Sequence, residues 1–342
     1  MDWKTFYRAE LESPAAHGLL EACFLEGAHV EPLHHLLNRG AVLSFPHTAM
    51  RFAGPIQANV VTALYRCEFE RVIALGALHS SSLPDPYRGF DQAVLNENLP
   101  VDRRSEAFLS LTGGILPGAT SAVTPFGTLP FLPLPEELCE VVRPEPLHLL
   151  EQEFSLDTFF SLVRFYADWR GTDPLPVLPV YIGMTRDPIS GSFDVARRLA
   201  ASLRKVHDSR TAIVATGDLV HYGTAYSDRE AAAARSADAA ALHTHFRREV
   251  ERTLDLALIE RRDADAFRSS EQVLKSDQRH LLPVLAGLVR PNGQYEILHF
   301  ELSDYAPIFG SGPPCVVASA LVAFLPGVGH RRVGRIDETD ER

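Results

Sequence analysis

Ala41-Val-Leu-Ser-Phe-Pro-His47 and Arg71-Val-Ile-Ala-Leu-Gly-Ala-Leu-His79 are two short apolar runs, each closed by a histidine. Runs of this length, rich in Val, Ile and Leu and stopped by proline or glycine, read as strands buried on both faces. Between them, residues 54–66 read as a helix, with Pro55 suited to its first turn. Strand, helix and strand in that order make a βαβ unit. Its two strands then point the same way and place His47 and His79 at one edge of a sheet. In open α/β sheets the carboxyl edge is where ligands bind.

The pattern extends outward. Val177-Leu-Pro-Val-Tyr-Ile-Gly183 and Thr211-Ala-Ile-Val-Ala-Thr-Gly217 read as two more buried strands, joined by a helix over 190–206. The second runs directly into Asp218-Leu-Val-His221, a third histidine just past a strand end. Helical spacing covers 10–38, 148–168, 227–268 and 279–290, and two last strands are expected over 294–302 and 315–325. The Pro- and Gly-rich stretch 82–135 predicts a long excursion of turns and short strands, the kind of segment that often forms a lid or binding loop. The fold class implied is α/β, a single domain over 1–326 with a central mixed sheet flanked by helices. A charged, flexible tail is expected over 327–342.

Composition narrows the function. The 342 residues carry a formal charge of −11, are 46% hydrophobic and 23% charged, and hold no run of apolar residues long enough for a membrane helix. An acidic chain disfavours nucleic acid and anionic membrane as partners. The first residues, MDWKTFYRAELESP, lack the apolar core of a signal peptide, so a cytoplasmic location is expected. Cys23, Cys67, Cys139 and Cys315 are scattered without a CxxC pair, which predicts reduced and mostly buried thiols. Adjacent His34 and His35 point to different faces of a helix, and His243 and His245, two apart, share none. These four are read as surface or satisfied residues, and His299 as a side chain on a sheet face.

The polar groups left at strand ends are His47, His79, Asp218 and His221. Imidazole is a common ligand of Zn, Fe, Cu and Ni, and two histidines from neighbouring strand ends can reach one ion. A third donor is needed. Asp277, in Lys275-Ser-Asp-Gln-Arg-His280, precedes an apolar helix. It suits either a helix cap or the carboxylate of a two-histidine, one-carboxylate facial triad. His221 suits either a ligand or an acid/base group, and Asp218 either an orienting group or a turn residue.

Four segments taken together, Pro46-His47 through Gly54-Pro55, Leu75 to Ser80, Val214 to Gly223, and Gln278-Arg279-His280 with its apolar helix, resemble the Memo family in order and spacing. That family is similar in fold to class III extradiol ring-cleaving dioxygenases. The resemblance implies metal binding by His47 and His79, and gives His221 the place of the dioxygenases' acid/base histidine. Asp277 stands where Memo proteins carry a cysteine ligand, and a hard carboxylate there shifts preference from Cu(I) toward Fe(II) or Mn(II). Phe154, within Glu153 to Asp157, stands where a pocket histidine is usual, and the family's early SHAGxWY-type segment is absent.

The expectation is a mononuclear Fe(II) oxygenase, with Mn(II), Cu or Zn as other metals. His47, His79 and Asp277 would be its ligands, and His221 and Asp218 its acid/base and orienting groups. Dioxygen and a small, catechol- or aminophenol-like substrate would fill the open positions; a deep pocket lined by Phe154 and the 82–135 excursion would favour such a substrate, and a shallow open site a binding role. The resemblance to the dioxygenases also makes a homo-oligomer reasonable, while the sequence leaves the oligomeric state open. The alternatives are a non-catalytic metal-binding or interaction protein and a zinc-type hydrolase.

Overall fold

The computed structural model describes residues 2–85, 87–223, 225–226, 238–310 and 315–327. Its strands are β1 (Val42–Phe45), β2 (Arg71–Ala77), β3 (Gly114–Leu116), β4 (Ser121–Thr124), β5 (Gly127–Pro130), β6 (Val142–Pro144), β7 (Val177–Ile182), β8 (Thr211–Thr216), β9 (His221–Gly223), β10 (Gln294–Asp304) and β11 (Cys315–Leu325). Nine of them form one mixed sheet in the order β10-β11-β1-β8-β2-β7-β3-β6, with β9 paired to β11, and β4 and β5 form a separate hairpin. The inner four, β1, β8, β2 and β7, are mutually parallel, so their carboxyl ends share one edge. β11 and β3 flank them antiparallel. The α/β class and the mixed sheet are as the sequence predicts.

The helices are α1 (Trp3–Glu12), α2 (Ala16–Glu26), α3 (Val30–Asn38), α4 (Met50–Arg66), α5 (Arg88–Leu95), α6 (Val101–Leu111), α7 (Asp157–Arg170), α8 (Asp194–Val206), α9 (Ala239–Leu258), α10 (Asp263–Gln272), α11 (Leu282–Val289) and the single turn α12 (Ala306–Phe309). Alternate strand residues feed two cores. Leu43, Phe45, Ala74 and Val214 pack with α2, α3, α4 and α7 on one face. Val42, Ile73, Leu75 and Ile213 pack with α8, α9 and α11 on the other. The strands are apolar at successive positions because both faces are covered. The step from β1 to β2 passes over β8 on the first face, and the step from β7 back to β8 passes over β2 on the second. This doubly wound arrangement opens a crevice at its carboxyl edge.

Several local expectations are corrected. The 10–38 segment is three helices that begin at Trp3, broken around Ser13 and at Gly27, whose φ of 59° ends α2 in the left-handed turn glycine tolerates. α4 starts at Met50, so Pro55 lies inside it. Its first turn has no cap of its own. Glu10 of α1 serves instead, accepting from Met50 N (2.7 Å) and Arg51 Nε (2.8 Å). The helix expected over 148–168 begins at Asp157, and 148–156 is irregular. The 82–135 excursion contains α5 and α6 besides its short strands. Cys23 and Cys315 are buried as expected, but Cys139 is exposed. The expected helix over 227–268 is described only from Ala239, as α9 and α10, and of the tail expected over 327–342 only Gly327 lies within the described residues. Among the described residues no helix is long and apolar enough to cross a membrane.

Candidate metal centre

Three of the four inner strands deliver one piece of the site each to the shared edge. β1 ends two residues before His47, β2 two residues before His79, and β8 two residues before Asp218. His221 opens β9, where pairing with Val317 of β11 fixes it. Asp277 arrives from further along the chain, in a 3₁₀ turn over Asp277–Arg279.

That turn is fastened to the loop after β8. Asp277 N donates to Asp218 O (3.1 Å), Ser276 Oγ donates to Asp218 O (3.0 Å), and His221 N donates to Leu274 O (2.9 Å). The buried Gln278 amide lies between Ser44 Oγ and Gly217 O. A Cβ on Gly217 would come within 2.6 Å of Gln278 Cγ, so only glycine lets the turn seat this closely. Asp277 is therefore neither a loose surface acid nor a helix cap. The capping bond here is made by Ser276, whose hydroxyl accepts from Gln278 N (3.0 Å).

The donor atoms converge. Asp277 Oδ2 lies 3.3 Å from His47 Nε2, 3.3 Å from His79 Nε2 and 3.6 Å from His221 Nε2. Asp218 Oδ2 lies 3.8 Å from both His47 Nε2 and His221 Nε2. Two overlapping trios result, His47–His79–Asp277 and Asp218–His221–Asp277, each with ligand atoms within 4.8 Å of one another. Ligands bonded at about 2.1 Å and meeting at roughly 90–109° stand about 3.0–3.4 Å apart. The first trio has that spacing between its carboxylate and both imidazoles. His79 Nε2 is buried without a hydrogen-bond partner, as are His47 Nδ1 and Asp218 Oδ1. Buried polar atoms seldom stay unsatisfied, and a cation among these donors would satisfy His79 Nε2. The residues present could thus hold a metal ion.

Behind the donors stands a carboxylate that the sequence reading does not single out. Glu153 is 1% exposed. Its Oε1 accepts from His79 Nδ1, Phe154 N and Ser155 N, each at 2.9 Å, and its Oε2 from His79 N at 2.8 Å. With Nδ1 donating to Glu153, Nε2 of His79 is the nitrogen turned toward the other donors, where a bound cation would take the place of its proton. This is the carboxylate–histidine–metal arrangement that fixes a ligand's tautomer. Gly76 lets the Glu153 segment pack onto β2, since a Cβ there would lie 2.7 Å from Ser155 Oγ. His221 is set in the same way. Its Nδ1 lies 2.9 Å from Lys275 O, so Nδ1 donates and Nε2 is left facing the centre.

Charge follows geometry. Burial penalises the Asp277 carboxylate, yet His221 and His79 outweigh it and hold the group well below the ordinary range. Burial alone would lower His79, but Glu153 and Asp277 keep it well above its usual value. Burial pushes Asp218 up to about 7, opposed by His47 and reinforced by Asp277.

The donors open into a cleft of about 240 Å³. Phe154 stacks on His79 (centroids 4.4 Å apart) and meets His47 edge-on (5.6 Å). Trp3 and Tyr7 of α1, with Tyr226 and Tyr305, complete the aromatic walls. Among its described residues, the 82–135 excursion lines none of this cleft. Its hairpin β4–β5 covers a separate, larger cavity instead, because the excursion folds against α7 on the first face.

Other histidines fall mostly as expected. His245 is exposed, and His299 lies half-buried on β10. His243 is half-buried rather than solvated, with Nε2 3.1 Å from Phe300 O. His34, His35 and Glu31 form a third trio within 4.8 Å, although adjacent histidines were expected to diverge. His35 bends along the helix to Glu31 (3.1 Å), while His34 contacts Asn38 (3.1 Å).

No family model and no curated protein matches the chain. Among solved structures it is similar to the crystal structure of an uncharacterized protein from Escherichia coli K12, at 13% identity and a TM-score of 0.42, over 83% of this chain and 98% of that one.

Proposed function

We propose that the protein is a mononuclear non-heme Fe(II) oxygenase acting on a small, electron-rich aromatic molecule of catechol or aminophenol type. The observation that carries this reading is the 3.3 Å spacing of the Asp277 carboxylate from both His47 Nε2 and His79 Nε2. Two imidazoles and one carboxylate are the donor set of Fe(II) oxygenases and leave coordination positions open. The Memo-like and extradiol-like motif order of the sequence agrees with it. Mn(II), Cu and Zn are the other metals such a site accepts.

A bound ion would supply Lewis acidity toward a substrate hydroxyl and electrons toward dioxygen. The chain's own residues do the rest. Phe154, Trp3 and Tyr7 offer flat apolar walls to an aromatic ring and keep bulk water from the donors. Nε2 of His221, held as the free lone pair by Lys275 O, accepts the proton of a substrate hydroxyl, help worth about 10²- to 10⁴-fold in rate. Asp218 is 2% exposed and faces both His47 and His221, so it orients the two imidazoles from below. Glu153 keeps His79 in the ligating tautomer.

The test is metal analysis and oxygen uptake on protein purified without air. About one iron per chain, with oxygen consumed in proportion to added catechol or aminophenol and none consumed by Asp277→Ala, is the expected result. Iron-loaded protein that consumes no oxygen across a broad phenol panel overturns the oxygenase reading. Firmly held zinc with esterase or amidase activity would replace it by hydrolysis, and a loaded but inert site by a binding role.

A further inference from the structure

We infer that the cavity of about 420 Å³ between α1, the β4–β5 hairpin and the start of α7 is a second binding site, for a small organic ammonium ion held by the Asp157 carboxylate and the Tyr181 hydroxyl. The cavity shares Tyr7 and Glu153 with the surroundings of the metal centre, but its ligand binding does not depend on that centre's chemistry.

Two polar groups on the cavity wall have capacity left for a ligand. Tyr181 is 5% exposed, on β7. Its side chain lines the cavity, and its hydroxyl has no hydrogen-bond partner among the described residues, which leaves it open to the cavity. Asp157, the first residue of α7, accepts no hydrogen bond at its carboxylate among the described residues. Its charged neighbour is Lys4 Nζ, 3.8 Å away. That ammonium is already directed to the carbonyls of Glu151 (2.8 Å) and Glu153 (3.2 Å). Neighbouring protein pushes the Asp157 carboxyl up to about 6 even with Lys4 opposing, while 37% of its side chain remains open to the cavity and solvent.

The remaining charges select the sign of the ligand. Glu145 is committed to Gly118 N (2.6 Å) and Leu150 N (3.0 Å), and Arg8 to Glu12 (2.7 Å). That leaves the carboxylates of Asp157, with Lys4 at 3.8 Å, and of Glu151 on the lining, so the charge facing the cavity is on balance negative. An N–H donor with a positive charge answers it, and Tyr181 oxygen accepts a second N–H of the same ammonium. Phe131 and Phe160, with centroids 5.1 Å apart, and Tyr7 supply aromatic wall for the organic part and for the cation's face contact. The hairpin that covers this space belongs to the excursion that the sequence marks as a binding segment.

Calorimetric titration of the purified full chain with benzylamine, tyramine and putrescine tests the assignment, with benzyl alcohol as the neutral match for benzylamine. Saturable binding of at least one amine is expected, about 10-fold weaker or more in Asp157→Asn, about 3-fold weaker in Tyr181→Phe, and absent for benzyl alcohol. Metal content stays that of the parent in both variants, which separates this site from amine coordination at the metal centre. Three results overturn the proposal: no amine binds, benzyl alcohol binds as well as benzylamine, or Asp157→Asn binds as tightly as the parent.

Discussion

Two trios of the same donor types stand at opposite extremes of this molecule. Glu31, His34 and His35 lie on α3 with ligand atoms all within 4.8 Å of one another, as are those of His47, His79 and Asp277. The α3 trio comes from one turn of helix. Glu31 and His35 are solvent-exposed, and Glu31 also pairs with Arg66 at 3.3 Å. The inner trio comes from three separate elements, lies buried or nearly so, and is held by Glu153, Gln278 and Ser276. Exposed side chains must give up rotamer freedom and water to bind an ion. The inner ones have already lost both on folding. Proximity alone therefore separates the two trios poorly, and the hydrogen bonds behind the donors separate them well.

The largest expected effect breaks the comparison outright. Asp277→Ala removes the donor that both inner trios share and should reduce bound metal from about one per chain to background by mass spectrometry. The double change His34→Ala with His35→Ala should leave metal content unchanged. If the surface double variant loses the metal and Asp277→Ala keeps it, the assignment is reversed. Next in size is Glu153→Gln, which leaves every ligand in place and weakens the group behind His79. Loss of such a supporting carboxylate costs about 10- to 100-fold in metal affinity. A competition titration with a fluorescent chelator reads this, and unchanged affinity would mean that Glu153 only satisfies backbone amides.

A smaller effect is expected at Gln278. Gln278→Ala deprives Gly217 O and Ser44 Oγ of a buried partner, which costs roughly 1–3 kcal/mol in a urea unfolding curve. Metal affinity should fall with it, since the turn bearing Asp277 is seated by that amide. A loss of stability with full retention of affinity would show that the backbone bond from Asp277 N to Asp218 O suffices.

How much of this was legible in the chain follows the same division. His47, His79 and Asp218 could be read because buried parallel strands announce themselves as apolar runs, and their ends then locate the edge. Asp277 was legible only through its motif context. By spacing alone it looked like a cap, and it is Ser276 that caps. Glu153 was hidden because its segment carries helical spacing yet folds irregularly, held by contacts to Gly76 and His79 that lie about 75 residues away in the chain. Trp3 and Tyr7 were hidden for a related reason. Nothing local in α1 says that it folds over the strand ends, which follows from Glu10 capping α4. The two helices of the excursion were missed because Pro and Gly at their borders outweighed the short amphipathic stretches between.

The smallest expected effect concerns the far end of the Asp277 turn. Burial, with Arg279 and Arg186 adding to it, holds His280 well below its ordinary value, and its Nδ1 accepts from Thr185 N (3.2 Å). The native chain therefore keeps this imidazole neutral where the unfolded chain protonates it. Below the unfolded value of about 6.5 the unfolded state binds one more proton here, so stability is full above that pH and falls as the pH drops through it, by up to about 1.4 kcal/mol per pH unit. His280→Phe keeps the ring volume but has nothing to titrate. Between pH 6.5 and 5 its unfolding free energy should lose about one proton's worth of slope relative to the parent, whatever its absolute stability. Parallel slopes in the two proteins would mean that the parent's His280 is protonated in the folded chain, as Glu153 and Asp277 favour for His79 but nothing beside His280 does.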